Sequence, residues 1–366
     1  MRFSIFPAAP LLALLLLAGC NPDQNIIAEP APDTTNVFVV NEGNYNRSNG
    51  SVSLYSKTGK NVVAPDLFRS VNGRGLGDVV QSLTVRDNRA WLVVNNSNKI
   101  EVVSLPDFRS VGVVAGLHGP RYFLPVSATR GYVTQWGNFA GVRPGIKVVD
   151  LATNAVVDSI ATGDLPERLV LAGGRVFVAN SGSNTLTVID PATNRVTSTL
   201  PVGDAPNSLA VDKNGLLWVV CGGAVAYAPP AYLVVDYAAT TPGKLVSVNA
   251  TTATVASTRT FGTNRLQPTD LHLNGAGDQL YFRAANAATY TGPVFRLGIA
   301  DAALPVLTAP LIRRALYGLN VDPRTDVIYG GTGTFLGTDK LIRYQNSGAP
   351  LDSVAVGTGP NGFVFY

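Results

Sequence analysis

One segment, RVFVANSGSNTLTVIDPATNRVTSTLPVGDAPNSLAVD at residues 175–212, recurs in degenerate form along most of the chain. Each copy has an apolar strand that ends near Asn, a polar loop, a second apolar strand, a turn and an alternating strand. A Gly and often a Pro then introduce the next copy. Tandem units of this size are typical of β-propellers, in which each unit forms one four-stranded blade. The repeat therefore sorts the chain into strands and loops.

The repeat can be phased on the turn before the innermost strand of each blade. The matching positions are Val80, Pro120, Pro166, Pro206, Pro268, Leu316 and Pro360. Four short strands with their turns need about 40–50 residues, so only the interval after Pro206 requires an insertion. The last unit is the fragment PNGFVFY, and the first unit, from Val37, lacks that strand. We therefore predict an all-β, seven-bladed propeller closed by the C-terminal strand pairing into the N-terminal blade, which removes free sheet edges.

The N-terminus has the features of an export signal. Arg2 precedes a short apolar segment, and Leu17-Ala18-Gly19-Cys20 is similar to a bacterial lipobox. The apolar segment is too short to span a membrane. We predict a lipoprotein signal peptide over residues 1–20 that ends in the lipidated Cys20, a flexible tether over 21–36 and the propeller over 37–366. An ordinary secretory signal with an accidental Cys is the alternative.

The predicted location follows from the residue after Cys20. Asn21 stands where an Asp often retains lipoproteins at the inner membrane, so we expect a lipid anchor in the outer membrane and exposure at the cell surface. The net charge is only +4, and apart from Arg313-Arg314 the basic residues are scattered. Nucleic-acid binding normally needs a concentrated basic stripe. We therefore expect contact with the membrane through the lipid alone and no nucleic-acid partner.

The long loops are concentrated at one face of the predicted propeller. Five loops between second and third strands are long, whereas the turns expected on the opposite face are short. The five are 42–50, 135–144, 221–243, 284–293 and 331–339. The starts of the innermost strands lie on the same face, so both sets of residues are candidates for contact with a ligand.

Aromatic and polar residues of this face form the predicted ligand-binding site. Aromatic side chains around polar groups suit a large, partly apolar ligand that needs orienting hydrogen bonds. Packing of the loops against one another is the alternative role for individual aromatic residues. The loop candidates are Tyr45, Trp136, Phe139, Tyr227, Tyr232, Tyr237, Tyr290 and Phe335. The candidates at the starts of innermost strands are Gln81, Arg121, Glu167, Arg168, Asn207, Asp270, Tyr317 and Asn361.

Signals for catalysis are few. The chain has two histidines, His118 beside the candidate face and His272 on an innermost strand, and we interpret both as structural. The sequence contains no HExxH, paired CxxC or GxSxG motif. We therefore expect no catalytic residues, no cofactor and no enzymatic activity.

The repeat RVFVANSGSNTLTVIDPATNRVTSTLPVG resembles the YVTN-type, YncE-like propeller repeat. The first strand and loop, VFVVNEGNYNRSNGSVSLY, resemble a subset of surface propeller lipoproteins. Some members of that subset are associated with TonB-dependent outer-membrane transporters, and the vitamin B12-binding propellers of the BtuG kind are the best-defined examples. The resemblance implies that this chain captures a ligand, with a corrinoid as the first candidate, for such a transporter.

Two further classes of function stay open. A propeller enzyme such as a metal-dependent lactonase would need oxygen ligands that converge from several blades, and Glu167, Asn207, Asp270 and Asn361 would suit calcium. A structural surface scaffold is the other alternative, and it would bind no small ligand saturably.

The lipobox generates the first prediction. Cys20→Ala should block lipid attachment and processing by the lipoprotein pathway, because the thiol that accepts the lipid is gone. Metabolic labelling with a radioactive fatty acid and detergent partitioning measure both effects. Unchanged labelling of the variant would show that Cys20 is not the lipidated residue.

Overall fold

Each repeat folds into its own antiparallel sheet, because short turns join its apolar strands. The computed structural model describes residues 35–138 and 141–366, which form seven four-stranded sheets. This confirms the predicted all-β, seven-bladed propeller. The predicted signal peptide, Cys20 and almost all of the tether lie outside the described residues.

The described residues contain twenty-eight strands, and the blades are numbered from the N-terminus. Blades 1 to 4 contain, in chain order, β1 (Asn36–Asn41), β2 (Ser51–Ser56), β3 (Asn61–Ala64), β4 (Val80–Arg86), β5 (Arg89–Val94), β6 (Lys99–Ser104), β7 (Ser110–Val114), β8 (Pro120–Pro125), β9 (Arg130–Gln135), β10 (Gly145–Asp150), β11 (Val156–Ala161), β12 (Pro166–Ala172), β13 (Arg175–Asn180), β14 (Thr185–Asp190) and β15 (Arg195–Pro201).

Blades 5 to 7 follow the same order, and the final strand returns to blade 1. Their strands are β16 (Pro206–Val211), β17 (Leu216–Cys221), β18 (Lys244–Asn249), β19 (Thr254–Thr260), β20 (Gln267–Leu273), β21 (Gln279–Ala285), β22 (Gly292–Gly298), β23 (Ile312–Leu316), β24 (Gly318–Val321), β25 (Ile328–Gly331), β26 (Lys340–Tyr344), β27 (Pro350–Ala355) and β28 (Pro360–Phe365).

The C-terminal strand closes the ring as predicted. β28 is the innermost strand of blade 1, and it pairs with β1 so that Val39 lies opposite Phe363 and Val37 opposite Phe365. Phe363 is buried, and its ring lies 6.0 Å from that of Tyr329 in blade 7. The last strand therefore joins blade 1 to blade 7 by side-chain packing as well as by backbone hydrogen bonds.

The predicted phase holds in every blade, with the phasing residue within two residues of the start of the innermost strand. Leu316 is the last residue of the outer strand of blade 6, and the innermost strand of blade 7 begins at Gly318. In blade 6 the innermost strand begins at Gln267, one residue before the predicted Pro268. The other predicted starts agree with the structure.

The core lies between neighbouring blades. The second strand of each blade is buried almost throughout, as in β5 and β13, because both faces of its sheet pack against other blades. Phe38 and Val52 of blade 1 thus pack with Leu92 and Val103 of blade 2. The outer strand β15, by contrast, is exposed along most of its length.

One short helix, α1 (Leu67–Asn72), connects blades 1 and 2 within the described residues. The Asp66 side chain accepts a hydrogen bond from the Arg69 N–H and caps its first turn, and Gly73 ends it at φ 68°. Buried Phe68 fixes the helix against the core between the two blades. Nowhere in the described part of the chain does a helix have the length and apolarity needed to cross a membrane.

Strand register defines what we call the loop face. Val80 at the start of β4 lies opposite Val94 at the end of β5, and Pro166 lies opposite Asn180 in the same way. The start of the innermost strand is therefore beside the loop between the second and third strands. The long loops and these starts share one face, as the repeat predicts.

Closure by β28 generates the second prediction. Deleting residues 360–366 should severely destabilise the fold, because it exposes a strand edge and removes Phe363 and its neighbours from the core. Burial of one large apolar side chain contributes about 1.5–3 kcal/mol. Thermal unfolding followed by circular dichroism measures the loss, and a variant that lacks only Tyr366 is the control. An unchanged melting temperature for the seven-residue deletion would contradict this role of β28.

Candidate ligand-binding site

A cavity of about 600 Å³ opens on the loop face where the central channel begins. We call this region the channel mouth. Polar side chains from all seven blades line it, and they include Glu42, Gln81, Arg121, Tyr122, Glu167, Arg168, Asn207, Asp270, His272, Arg283, Tyr317 and Asn361. The innermost strands supply most of them, so the site rests on the rigid part of the fold.

Six of the innermost strands carry a β-bulge at the channel mouth. In three blades, one residue of the innermost strand has no paired residue on the second strand. These residues are Gln81, Asn207 and Asn361. In blades 3, 4 and 6, two consecutive residues are skipped, among them Arg121 and Glu167. A bulged residue leaves the regular ladder and re-aims its side chain. The bulges thus place the predicted polar residues around one cavity.

Asp270 is the most strained of these residues. Its φ is 59°, although it belongs to β20 and is not glycine. Such a backbone conformation costs free energy and is maintained only where the surrounding structure fixes it. Here the side chain of Asp270 is held by three bonded partners, which are described below.

Arg121 organises one side of the channel mouth. Its Nη1 donates to Gln81 Oε1 at 2.5 Å, and its Nε donates to Glu167 Oε1 at 3.0 Å. The guanidinium carbon lies 4.0 Å from the centre of the Trp136 ring, which is a cation–π geometry. Burial raises the pKa of Glu167 above its ordinary value, and the charge of Arg121 offsets this only in part.

Asp270 organises a second cluster. Its Oδ1 accepts from Arg168 Nη2 at 3.3 Å and lies 3.0 Å from His272 Nε2, while its Oδ2 accepts from Arg283 Nε at 3.1 Å. Burial alone would raise the pKa of Asp270. The hydrogen bond to His272 and the charges of Arg283 and Arg168 nevertheless hold this pKa well below its usual range. Asp270 is therefore ionised at physiological pH.

Glu42 is the third carboxylate of the channel mouth, and no cation among the described residues is bonded to it. Tyr317 donates its hydroxyl proton to Glu42 Oε2, and the Asn361 side-chain amide lies 3.5 Å from the same oxygen. Burial raises the pKa of Glu42, and the two hydrogen bonds and the charge of Arg121 oppose this shift incompletely. Phe335 packs edge-on against Tyr317, with ring centres 5.0 Å apart, and holds it in place.

Ten of the predicted site residues line the cavity. They are Gln81, Arg121, Glu167, Arg168, Asn207, Tyr227, Asp270, Tyr290, Tyr317 and Asn361. Trp136 and Phe335 lie behind them, against Arg121 and Tyr317. Phe139 is outside the described residues. Whether any of these residues contacts a ligand stays a prediction.

The structure places the remaining aromatic candidates outside the cavity lining. Tyr237 packs against the guanidinium of Arg265 at 4.6 Å and is partly buried. Tyr45 and Tyr232 are 69% and 64% exposed, and Tyr227 and Tyr290 are also exposed at the cavity edge. We call the four exposed tyrosines, Tyr45, Tyr227, Tyr232 and Tyr290, the aromatic rim.

Sequence reasoning overlooked several polar residues of the cavity, including four that take part in its side-chain hydrogen bonds. Glu42 begins a loop that was selected for its aromatic residue. Arg283 is a single cation within the otherwise apolar strand β21, and that contrast is a usable sequence signal. Tyr122 follows a selected residue in a two-residue bulge. His272, interpreted as structural, is bonded to Asp270 as expected of such a residue, but it also lines the cavity.

The carboxylates of the mouth are arranged for pairing with arginine more than for metal binding. Within residues 35–138 and 141–366, no group of three or more His, Cys, Asp or Glu side chains is placed to hold a metal ion. Glu167 and Asp270, two of the candidate calcium ligands, already accept hydrogen bonds from guanidinium groups. A cation would have to displace those arginines to reach either carboxylate.

The fold and the cavity define a seven-bladed β-propeller with a polar, ring-shaped site at one end of its channel. The model of a family described as a domain of unknown function, DUF5074, matches residues 35–348. The chain therefore belongs to that family. None of the curated proteins matches it.

Solved structures with the same fold include proteins with several functions. One is a quinonprotein alcohol dehydrogenase-like protein from Bacteroides thetaiotaomicron, with 14% identity, a TM-score of 0.65 and coverage of 91% of this chain and 78% of that one. Another is named as a candidate 6-phosphogluconolactonase from Bacteroides fragilis, with 11% identity, a TM-score of 0.63 and coverage of 91% and 98%. At these identities the likeness shows the fold alone.

The Asp270 cluster generates the third prediction. Asp270→Asn should lower the free energy of unfolding by about 3 kcal/mol, because it leaves the buried Arg283 and the partly exposed Arg168 without this counter-charge. Asn tolerates the positive φ at this position, so the loss reports the charge. Chemical denaturation measures it, with Asp164→Asn on an exposed loop as the control.

The pH dependence of this difference follows from the lowered pKa of Asp270. A carboxyl group with a depressed folded-state pKa stabilises the fold fully above its unfolded pKa, which is about 3.9. The difference between the wild type and Asp270→Asn should therefore be constant near neutral pH and shrink below about pH 4. A difference that grew on acidification would contradict this assignment.

Proposed function

We propose that the protein is a non-enzymatic, lipid-anchored binding protein that captures a ligand at the channel mouth. The observation that carries this proposal is the cavity of about 600 Å³, which has convergent polar groups from all seven blades and exposed tyrosines at its edge. Ligand sites are typically concave, with a few placed polar groups and aromatic area around them.

Two acceptor atoms support a hydrogen-bonding ligand. Asn361 Oδ1 and Gln267 Oε1 line the cavity region and are buried, yet they find no hydrogen-bond partner among the described residues. A buried polar atom without a partner costs about 1–3 kcal/mol. A ligand that donates hydrogen bonds to them would recover that free energy.

The proposed partner is a TonB-dependent outer-membrane transporter. An anchor on Cys20 and a tether over residues 21–36 would hold the propeller close to the membrane and raise its effective concentration at a transporter. The BtuG-like resemblance makes a corrinoid the first candidate cargo. That choice rests on analogy, since one fold supports many functions.

The pairing of the carboxylates favours a binder over a metal-dependent lactonase. Such an enzyme would need oxygen ligands free to meet a cation, whereas Glu167 and Asp270 are bonded to Arg121, Arg168 and Arg283. A saturable small ligand would likewise distinguish a binder from a structural scaffold.

Calorimetric titration of cyanocobalamin and cobinamide into the residue 21–366 protein tests the cargo. We expect the wild type to bind saturably. Shortening residues 222–243 to a four-residue turn should weaken the affinity at least about ten-fold, which corresponds to a loss of only ~1.4 kcal/mol of binding free energy. This segment carries Tyr227 and Tyr232 of the aromatic rim. Val157→Ser, on an exposed outer strand, is the control and should bind normally.

Two outcomes would count against the proposal separately. Absence of heat, confirmed by equilibrium dialysis, would remove corrinoids as the cargo. Full-strength binding after the loop is shortened would show that the ligand does not use this part of the loop face. Co-purification of the lipidated protein with an outer-membrane transporter tests the partner independently of either result.

A further inference from the structure

The charges of the channel mouth are equal in number but unequally paired. Arg121 and Glu167 form one ion pair. Asp270 is shared by two arginines, Arg168 and Arg283. Glu42, the third carboxylate, has no arginine or lysine of the described residues bonded to it. One part of the cavity therefore carries excess positive charge, and another carries a carboxylate without a bonded counter-ion.

The positive pole consists of Asp270 with Arg168 and Arg283. Arg283 is buried, and its Nη1 donates to the carbonyl oxygens of Tyr290 at 3.0 Å and Leu316 at 2.9 Å. Arg168 is the more accessible of the two, with 34% of its side chain exposed. Its guanidinium carbon lies 4.6 Å from the centre of the Tyr122 ring, which orients it within the cavity. Arg168 is thus the cation that an anionic group can reach.

The negative pole consists of Glu42 and Asn361. Glu42 accepts from Tyr317 and from the Asn361 amide, both neutral donors. The cation whose charge acts on Glu42 is Arg121, which is already bonded to Gln81 and Glu167. Asn361 Oδ1 adds a buried acceptor without a partner. A buried carboxylate is costly unless a cation and hydrogen bonds compensate it, so this pole is suited to a cationic nitrogen.

The link between blades 6 and 7 bonds to both poles. The Tyr317 hydroxyl donates to Glu42, and the carbonyl of the preceding residue, Leu316, accepts from Arg283. Adjacent residues of the chain thus contact the two poles, and both poles line the same cavity.

We propose that the channel mouth recognises a zwitterionic group, with its cationic nitrogen at Glu42 and Asn361 and its anionic group at Arg168. This inference rests on the proposed binding function and deepens it by naming the chemical class of the ligand. Each half of such a ligand supplies the charge that one pole lacks, so a ligand with only one sign of charge satisfies half of the site.

A matched set of four-carbon probes tests the charge preference on the purified full-length protein. The probes are 4-aminobutanoate, 1,4-diaminobutane, butanedioate and neutral 1,4-butanediol, measured by saturation-transfer NMR and calorimetry. We expect 4-aminobutanoate to bind at least about ten-fold more tightly than the other three, since hydrogen bonds to charged groups are the strong ones. Two-, three- and six-carbon amino acids then measure the separation of the poles.

Two charge-neutralising variants assign the poles. Glu42→Gln keeps the size and one acceptor oxygen of the side chain and should remove the preference for the amino group, while butanedioate binds at least as well as before. Arg168→Gln should have the converse effect. Asp87→Asn, in a turn on the opposite face, is the control. Circular dichroism and melting temperature confirm that each variant is folded.

The pH dependence of binding is a second test, and in the wild type it requires no comparison of the stability of different variants. Wild-type affinity for 4-aminobutanoate should fall as the pH is lowered through the raised pKa of Glu42. Tyr317 and Arg121 also face Glu42, but neither changes charge in this range. Glu167 is another carboxyl group of the mouth with a raised pKa, so only the part of the pH dependence that disappears in Glu42→Gln belongs to Glu42.

Equal affinity for 4-aminobutanoate and 1,4-butanediol, or an unchanged probe profile in Glu42→Gln, would overturn the zwitterion proposal. If a corrinoid bound while these probes failed, the capture function would stand and the ligand class would be wrong. If the probes bound with the expected preference and corrinoids did not, the zwitterionic site would stand and the cargo would be wrong.

Discussion

The structure depends on one constraint, which is that both faces of every blade must be covered by a neighbour. The second strands, such as β5 and β13, are apolar on both faces and are buried because blades flank them on each side. A linear stack would leave two such faces in water. Pairing of β28 with β1 closes the ring and removes that cost for all seven blades together. The channel and its mouth exist because the ring is closed.

The sequence predicts the scaffold well because the signals for a blade are local. Pro166 and Pro206 follow turn residues and precede alternating strands, and both begin innermost strands in the structure. In blade 7 the segment ALYGLNV contains no proline at the turn, and its phasing residue, Leu316, lies two residues before the strand start at Gly318. Apolar residues alone do not show where one strand ends and the next begins.

The polar residues of the channel mouth are predictable only in part. Gln81 and Asn207 can be found because they occupy equivalent positions in the repeat. Glu42 becomes a site residue through ring closure, which brings it to Tyr317, 275 residues away in sequence. The uneven pairing of three arginines with three carboxylates is likewise a tertiary property. Repeat phasing locates a residue on a face of the propeller, but it does not determine the residue's partners.

The β-bulges separate the requirements of the fold from those of the site. A residue that the ladder skips contributes little to strand pairing, so its side chain can change while the flanking residues keep the register. Substitution of Gln81 or Asn207 therefore alters the cavity and its side-chain hydrogen bonds while the backbone pairing of the blade is kept. Propellers that share this scaffold can acquire different ligand preferences by point substitution at a few bulged positions, without insertion, deletion or rearrangement of the sheet.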